Sequence, residues 1–154
     1  MKRLLSFITV CVALLAAAAA CGRHRHDASL ERVYALSDSL PGEALAALDS
    51  IDASSLHGAD LQFYNLLRVK TADKNDRNIS ADSFITGVIE HFEHSGDARL
   101  YAEALYYGGR VSDETGDYPS ALRYYQDALE ILPDNEANLH LRGCILAQTI
   151  PLTA

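Results

Sequence analysis

The side chains best suited to binding a metal ion are two histidines flanked by carboxylates. His91 and His94 lie three positions apart, about one helical turn, and Glu90 and Glu93 each precede one of them closely. Imidazole and carboxylate groups on one helix face can hold a zinc ion. The same spacing is common on solvated helices, however, and the sequence has no HExxH motif. We therefore expect no metal site at this position.

Two other pairs of side chains are candidates for chemistry, one for a reactive thiol and one for a metal ion. Cys144 follows His140 by four positions, a spacing at which an imidazole can activate a thiol. A lone cysteine on an amphipathic helix is more often a small buried apolar residue. His24 and His26 could share a metal ion, but histidines on a polar arm are usually solvated. The sequence has no glycine-rich phosphate loop and no nucleophile elbow, so it predicts no catalytic site, no cofactor and no enzymatic activity.

The charge of the chain argues against nucleic acid as a partner. The 154 residues include 13 Lys and Arg against 21 Asp and Glu, for a net charge of −8. Loss of Lys2 and Arg3 with an export signal would leave 11 basic residues and a net charge of −10. Nucleic-acid binding relies on basic side chains at the phosphates. An acidic chain of this kind attracts basic partners, although acidity also serves solubility alone.

The N-terminus has the pattern of an export signal. Positive residues Lys2 and Arg3 precede an apolar run over residues 4–20, which ends in alanines directly before Cys21. These alanines and the cysteine resemble the lipobox of bacterial lipoproteins. The resemblance implies cleavage after residue 20 and acylation of Cys21, and because Gly22 is not acidic it implies the outer membrane, facing the periplasm.

Two alternatives to lipidation remain open: a plain secretory signal cut near Ala20, and an uncleaved membrane helix. The apolar run is shorter than the roughly 20 residues that span a bilayer. On the lipoprotein interpretation Cys11 is removed with the signal and Cys21 is acylated, which leaves Cys144 alone and excludes a disulfide framework. Residues 21–28 are then expected to form a polar tether.

Apolar residues with helical spacing predict an all-helical remainder, and no stretch shows strand-like alternation. The first six predicted helices pair in chain order, and a seventh follows them. The predicted ranges are 30–39, 42–51, 59–73, 82–94, 98–115, 118–132 and 136–150.

The clearest pattern lies in residues 102–135, where small and aromatic residues recur at fixed offsets. Gly109 and Ala121 would let two helices approach closely because neither carries a bulky side chain. Gly116 can adopt the left-handed conformation that ends the first helix, and Asp117 can cap the second. An apolar stripe follows on that second helix, formed by Tyr118, Ala121, Leu122, Tyr125, Ala128, Leu129 and Leu132. Looser packing is expected on the first helix, at Leu105, Gly108 and Ser112.

These offsets resemble the tetratricopeptide repeat, whose period is about 34 residues. Residues 29–154 as a whole are similar to the exported helical region of tetratricopeptide lipoproteins of the Bacteroidota type. The resemblance implies an all-α fold, a right-handed superhelix of antiparallel helix pairs that forms a tetratricopeptide-like solenoid. Only 102–135 matches well, and the two earlier pairs would be degenerate repeats.

The last predicted helix starts a further repeat. Gly143 lies 34 positions after Gly109, and Leu139 lies 34 positions after Leu105. Residues 136–150 therefore form half a repeat, so the solenoid is expected to be C-terminally abbreviated. Its uncovered apolar residues should lie partly exposed, namely Leu139, Leu141, Ile145 and Leu146.

The resemblance implies a scaffold that binds a protein or peptide, anchored to the membrane through its N-terminal lipid. In such solenoids the first helix of each repeat lines a concave groove. The positions carried over as partner-binding are Glu103, Tyr106, Arg110, Asp113 and Glu114. The competing interpretation is a solvated helix face with Glu103 and Arg110 loosely paired. The alternative function is the exported sensor portion of a tetratricopeptide-containing regulator that has lost its output half.

Overall fold

The computed structural model describes residues 26–81 and 83–152, with side chains described as far as residue 150. This part of the chain forms seven α-helices and contains no strand, which confirms the all-α prediction. The helices are α1 (Ala28–Ser37), α2 (Pro41–Asp49), α3 (Gly58–Lys74), α4 (Ile85–Glu93), α5 (Ala98–Glu114), α6 (Tyr118–Ile131) and α7 (Leu139–Leu152). Short 3-10 turns at Ala53–Ser55 and Glu136–Asn138 precede α3 and α7.

Aspartates begin three of the helices by capping them. Asp27 accepts the Ser29 N–H at 2.8 Å at the start of α1. Asp97 accepts N–H groups of the first turn of α5, that of Leu100 at 3.1 Å. Asp117 accepts the Ser120 N–H at 3.2 Å, as predicted. Each carboxylate satisfies a backbone donor that has no partner inside its helix.

The turn between α5 and α6 also follows the prediction. Gly116 has φ of 80°, a left-handed conformation that a residue with a side chain adopts at a cost. The Asp117 N–H donates to the Ser112 carbonyl at 2.9 Å, which closes the end of α5. Only residues 115–117 separate the two helices, so α6 folds back onto α5.

Small residues set the packing around α5. A Cβ atom added to Gly109 would lie 2.9 Å or less from three ring carbons of Tyr125 on α6. A Cβ on Gly108 would lie 2.6 Å from Ile89 Cδ1 on α4. The two glycines therefore let neighbouring helices approach on two sides of α5. The expectation of looser packing at Gly108 and Leu105 is wrong, because Ile89 fills the space beside Gly108 and Leu105 is buried.

Consecutive helices pack on each other along the whole described chain, and α3 additionally contacts α1 and α5. One continuous apolar core runs through these contacts. Its largest fully buried apolar side chains include Leu30 and Leu48 near the N-terminal end, Phe63 and Phe92 in the middle, and Tyr107, Tyr125 and Ile145 beyond them. None of the described helices has the length and apolar character needed to cross a membrane.

The final helix is exposed on one side only. Leu139 is 61 % exposed, and Leu146 and Ile150 are also exposed. Leu141 and Ile145, which we expected to be partly open, are buried because this side of α7 packs against the preceding helices. The helix begins at Leu139, three residues after the predicted start, since Glu136–Asn138 forms the 3-10 turn.

The beginning of the described chain is packed as well. His26, which we expected in the tether, is buried, stacks on the Phe63 ring at 4.0 Å between centroids, and shares a hydrogen bond of 2.9 Å with Asp60. Asp27 already caps α1. The predicted signal at residues 1–20, Cys21 and His24 lie outside the described residues.

Candidate functional site

All five residues predicted to face a partner lie on α5, but two of them are covered by the protein itself. Glu103 is 3 % exposed and Tyr106 is 5 % exposed. Arg110 and Asp113 are partly buried, and Glu114 is exposed. The expectation of an open helix face is therefore wrong for Glu103 and Tyr106. Side chains from α1 and α3 contact Glu103, and residues of α7 line the small cavity beside Tyr106.

Glu103 belongs to a buried polar cluster. Lys70 on α3 donates to Glu103 Oε1 at 2.6 Å, and the Tyr34 hydroxyl on α1 donates to Oε2 at 2.7 Å. Lys70 also donates to Asp38 at 3.0 Å, and its Nζ lies 4.6 Å from the Tyr34 ring centroid. Both oxygens of the carboxylate thus have donors, which is the condition for burying a charge at tolerable cost. The anticipated pairing of Glu103 with Arg110 is replaced by the pairing with Lys70.

Arg99 extends this cluster toward α7. Its Nε donates to the Tyr34 hydroxyl at 3.2 Å, and one of its terminal nitrogens donates to the Ala137 carbonyl at 2.8 Å. Burial, followed by the Glu103 charge, raises the pKa of the Tyr34 phenol far above its ordinary value. Tyr34 is therefore a neutral donor at any physiological pH. These contacts join α1, α3, α5 and the turn before α7.

A cavity of about 20 Å³ lies within this cluster. It has room for one water molecule and none for an organic ligand. Its lining residues are Asp38, Lys70, Lys74, Arg99, Glu103, Tyr106, Tyr107, His140, Leu141 and Cys144. Cys144 Sγ lies 3.7 Å from His140 Nε2, and the cysteine is partly buried against the core. The cluster therefore has the size and composition of a structural contact between helices.

Arg110 is held by a second set of polar contacts at the C-terminal end of α5. Its Nε and one terminal nitrogen donate to Asp73 Oδ1 on α3 at 3.0 and 2.8 Å. Its other terminal nitrogen lies 3.3 Å from Gln148 on α7 and 3.6 Å from Asp113. Burial alone would lower the pKa of Arg110, but the Asp73 carboxylate more than offsets it and the pKa is raised. The guanidinium is thus a fixed cation between three helices.

Beside Arg110 lies an open cleft of about 430 Å³, which we name the α3–α5 cleft. Its lining residues are Asp73, Asp76, Arg77, Asn78, Arg110 and Glu114. Glu114 accepts the Ile79 N–H at 3.0 Å, which fastens the loop after α3 to α5. Three carboxylates and two guanidiniums make this a polar surface with excess negative charge. Of the five predicted residues, only Arg110 and Glu114 reach it.

One buried polar atom nearby has no hydrogen bond among the described residues, the hydroxyl of Tyr125. Burial raises the pKa of Tyr125, and the Arg110 guanidinium beside it only partly lowers that pKa. The ring must lie there because it fills the space left by Gly109. The position of the hydroxyl, beside the Arg110 guanidinium, follows from that packing.

The other residues considered for metal binding are dispersed. Across residues 26–81 and 83–152, no group of three or more His, Cys, Asp or Glu is placed to hold a metal ion. His91 lies edge-on to Phe92, with 5.1 Å between ring centroids, and His94 is at the exposed end of α4. Within the described residues, His91 and His94 therefore belong to no group of three possible metal ligands.

Sequence reasoning missed Lys70, Asp73 and Tyr34, which hold the predicted residues from other helices. A signal for Lys70 was present, because the stretch LLRVK places a lysine three and four positions after Leu67 and Leu66, on the apolar face of α3. A charge at such a position indicates a buried partner. No comparable signal pointed to Asp73 or Tyr34.

Comparison with known proteins adds no identification: no protein-family model, no curated protein and no solved structure matches the chain.

Proposed function

We propose that this chain is a lipid-anchored envelope scaffold of tetratricopeptide-like helices that binds a protein or peptide. The observation that most directly supports this proposal is the α3–α5 cleft. This open polar surface is held in shape by the contacts of Arg110 and Glu114. Arg110 and Asp73, which line this cleft, are paired with each other, so the surface offered to a partner has a fixed shape. The tetratricopeptide resemblance of residues 102–135 supports the choice of class.

The excess of carboxylates in the cleft favours a basic peptide segment. Asp76 is exposed there, and Asp73 and Glu114 contribute two more negative charges against Arg77 and Arg110. An acidic surface on an acidic chain raises the encounter rate with a cationic partner and fixes its orientation. Lysine or arginine side chains of the ligand would form charge-assisted hydrogen bonds with these oxygens.

Selection of random peptides on the full chain tests this assignment. We expect enrichment of sequences rich in Lys and Arg, and weaker binding of the selected peptides to an Asp76→Asn variant. Asparagine tolerates the left-handed backbone at this position, so the variant keeps the fold. Glu130→Gln, an exposed change on α6 away from the cleft, is the matched control. Peptides without basic residues, or full binding by Asp76→Asn, would show that the cleft is not the binding surface.

Substitution of Tyr106 or Arg110 is unsuitable for this test. Tyr106 is buried, and loss of Arg110 would leave the partly buried Asp73 without its partner. Either change would lower stability whatever its effect on a ligand.

Anchoring is tested separately. The unsubstituted protein expressed in a bacterium is expected to partition into detergent, and Cys21→Ala is expected to move it to the aqueous phase. Equal partitioning of the two proteins would reject the lipid anchor.

A further inference from the structure

A second cleft of about 280 Å³ lies between α2 and α3, and we name it the α2–α3 cleft. The partly exposed side chains of Leu45 and Tyr64 give it an apolar part, with the buried Leu48 behind them, and the rest of its lining is polar. Arg68 and Arg77 are exposed at its rim. Its volume suits a small organic group rather than a whole peptide chain.

The two arginines differ from Lys70 and Arg110 in their partners. Lys70 and Arg110 each form ion pairs with buried or partly buried carboxylates. Among the residues that the structure describes, no carboxylate forms an ion pair with Arg68 or Arg77. The Arg68 guanidinium lies over the Phe84 ring, 4.7 Å from its centroid. A chain with a net charge of −8 thus leaves two guanidiniums available at one cleft.

The backbone around the cleft is fixed. The Asn75 amide donates to the Pro41 carbonyl at 3.0 Å and to the Thr71 carbonyl at 2.7 Å, which joins the start of α2 to the end of α3. The Arg77 N–H donates to the Ala72 carbonyl at 3.0 Å across a turn in which Asp76 has φ of 54°. The backbone at Arg77 is therefore fixed by the hydrogen-bonded end of α3. Less conformational entropy is then lost when the Arg77 side chain binds a ligand.

We propose that the α2–α3 cleft binds a carboxylate that carries an apolar side chain, as at the C-terminus of a peptide or in a free apolar amino acid. The guanidinium groups match a carboxylate in shape and charge. The exposed parts of Leu45 and Tyr64 provide the apolar contact for the ligand side chain. Asp49, also at the cleft, disfavours a doubly charged phosphate by repulsion. This site is distinct from the α3–α5 cleft of the proposed function, which it borders at Arg77.

Calorimetric titration of the full chain in detergent tests the site with three probes. They are an acetylated Gly-Ala-Leu peptide with a free carboxylate, the same peptide with a C-terminal amide, and free leucine. We expect the acid to bind at least about tenfold more tightly than the amide, as loss of a charged hydrogen bond predicts. Arg68→Gln and Arg77→Gln should each weaken binding of the acid by about tenfold or more. Arg32→Gln, an exposed change on α1, is the matched control and should bind normally.

The possible outcomes decide the proposal. Tighter binding of the peptide than of leucine assigns a peptide terminus, and similar binding assigns an amino acid. Equal affinity for acid and amide overturns the proposal, as does unchanged affinity in both arginine variants, or no binding of the acid up to about 10 mM. Helical circular dichroism of each variant confirms that the fold is intact. Because Arg68 does not line the α3–α5 cleft, its substitution leaves basic-peptide binding unaffected, so the two proposals fail independently.

Discussion

Lys70 Nζ on α3 lies 2.6 Å from Glu103 Oε1 on α5, and only 2 % and 4 % of the two side chains are exposed. The pair connects residues 33 positions apart in the sequence. The pair also explains why Glu103 is closed to a partner, because its carboxylate is already bound within the protein. A buried pair of this kind is costly to break because one charge remains without its partner.

Glu103→Gln should therefore lower the free energy of unfolding by about 3 kcal/mol, the lower end for a broken buried pair, because Asp38 still neutralises part of the Lys70 charge. Urea denaturation measures the change. The double variant Lys70→Met, Glu103→Leu should recover much of the loss, since it removes both charges. Stability of Glu103→Gln within about 0.5 kcal/mol of the unsubstituted protein would mean that solvent screens the pair.

The contact of Gly109 with Tyr125 gives a second prediction. Gly109→Ala should destabilise the protein by about 1–3 kcal/mol, because the new methyl group overlaps the ring. Gly143→Ala is the matched control 34 positions later, where no atom lies within 4 Å of an added Cβ. That change should stabilise α7 by about 0.5–1 kcal/mol through helix propensity alone. Equal effects of the two substitutions in urea denaturation would contradict the close approach of α5 and α6.

Interactions between residues close in sequence account for the features that could be predicted from the sequence. Gly116, Asp117 and the small residues at Gly109 and Ala121 act within one helix pair, so spacing alone identified their roles. The all-α class and the approximate helix ranges followed from apolar periodicity in the same way. The starts of α4 and α7 were less accurate, since each helix begins three residues after its predicted start. At α7 the reason is that the residues before it form a 3-10 turn.

Tertiary contacts account for what the sequence did not show. Glu103 and Tyr106 were predicted to line the concave groove of a tetratricopeptide-like solenoid. In the structure Lys70 and Tyr34 bind Glu103, and Tyr106 is buried beside α7. The α2–α3 cleft likewise depends on Arg68 and Arg77 lying near α2, which no sequence spacing indicates. Pairing of side chains more than 30 positions apart is set by packing of whole helices, and a repeat pattern constrains it only loosely.

Protonation of Asp38 at low pH should lower the free energy of unfolding. Burial raises the pKa of Asp38, but Lys70, Lys74 and His140 more than offset this, and the net pKa lies below its ordinary 3.8. The folded state thus holds the proton less tightly than the unfolded state. The stabilisation is present above pH 3.8 and is lost as the pH falls toward the lowered folded pKa. Urea denaturation between neutral pH and pH 2.5 should show a shallower acid decline for Asp38→Asn; an identical decline would exclude this contribution.

The turn after α3 gives the last prediction. Asp76 has φ of 54°, and the N–H groups of Asp76 and Arg77 donate to the Asp73 and Ala72 carbonyls at 3.1 and 3.0 Å. This is the Schellman arrangement, in which glycine is the preferred residue at the left-handed position. Asp76→Gly should therefore raise the free energy of unfolding by about 0.5–1 kcal/mol, whereas Asp76→Ala should lower it, since alanine cannot replace the local hydrogen bonding that lets aspartate tolerate this conformation. Urea denaturation of both variants provides the comparison. If glycine and alanine have the same effect, the left-handed turn does not form, and the fixed placement of Arg77 at the α2–α3 cleft is lost with it.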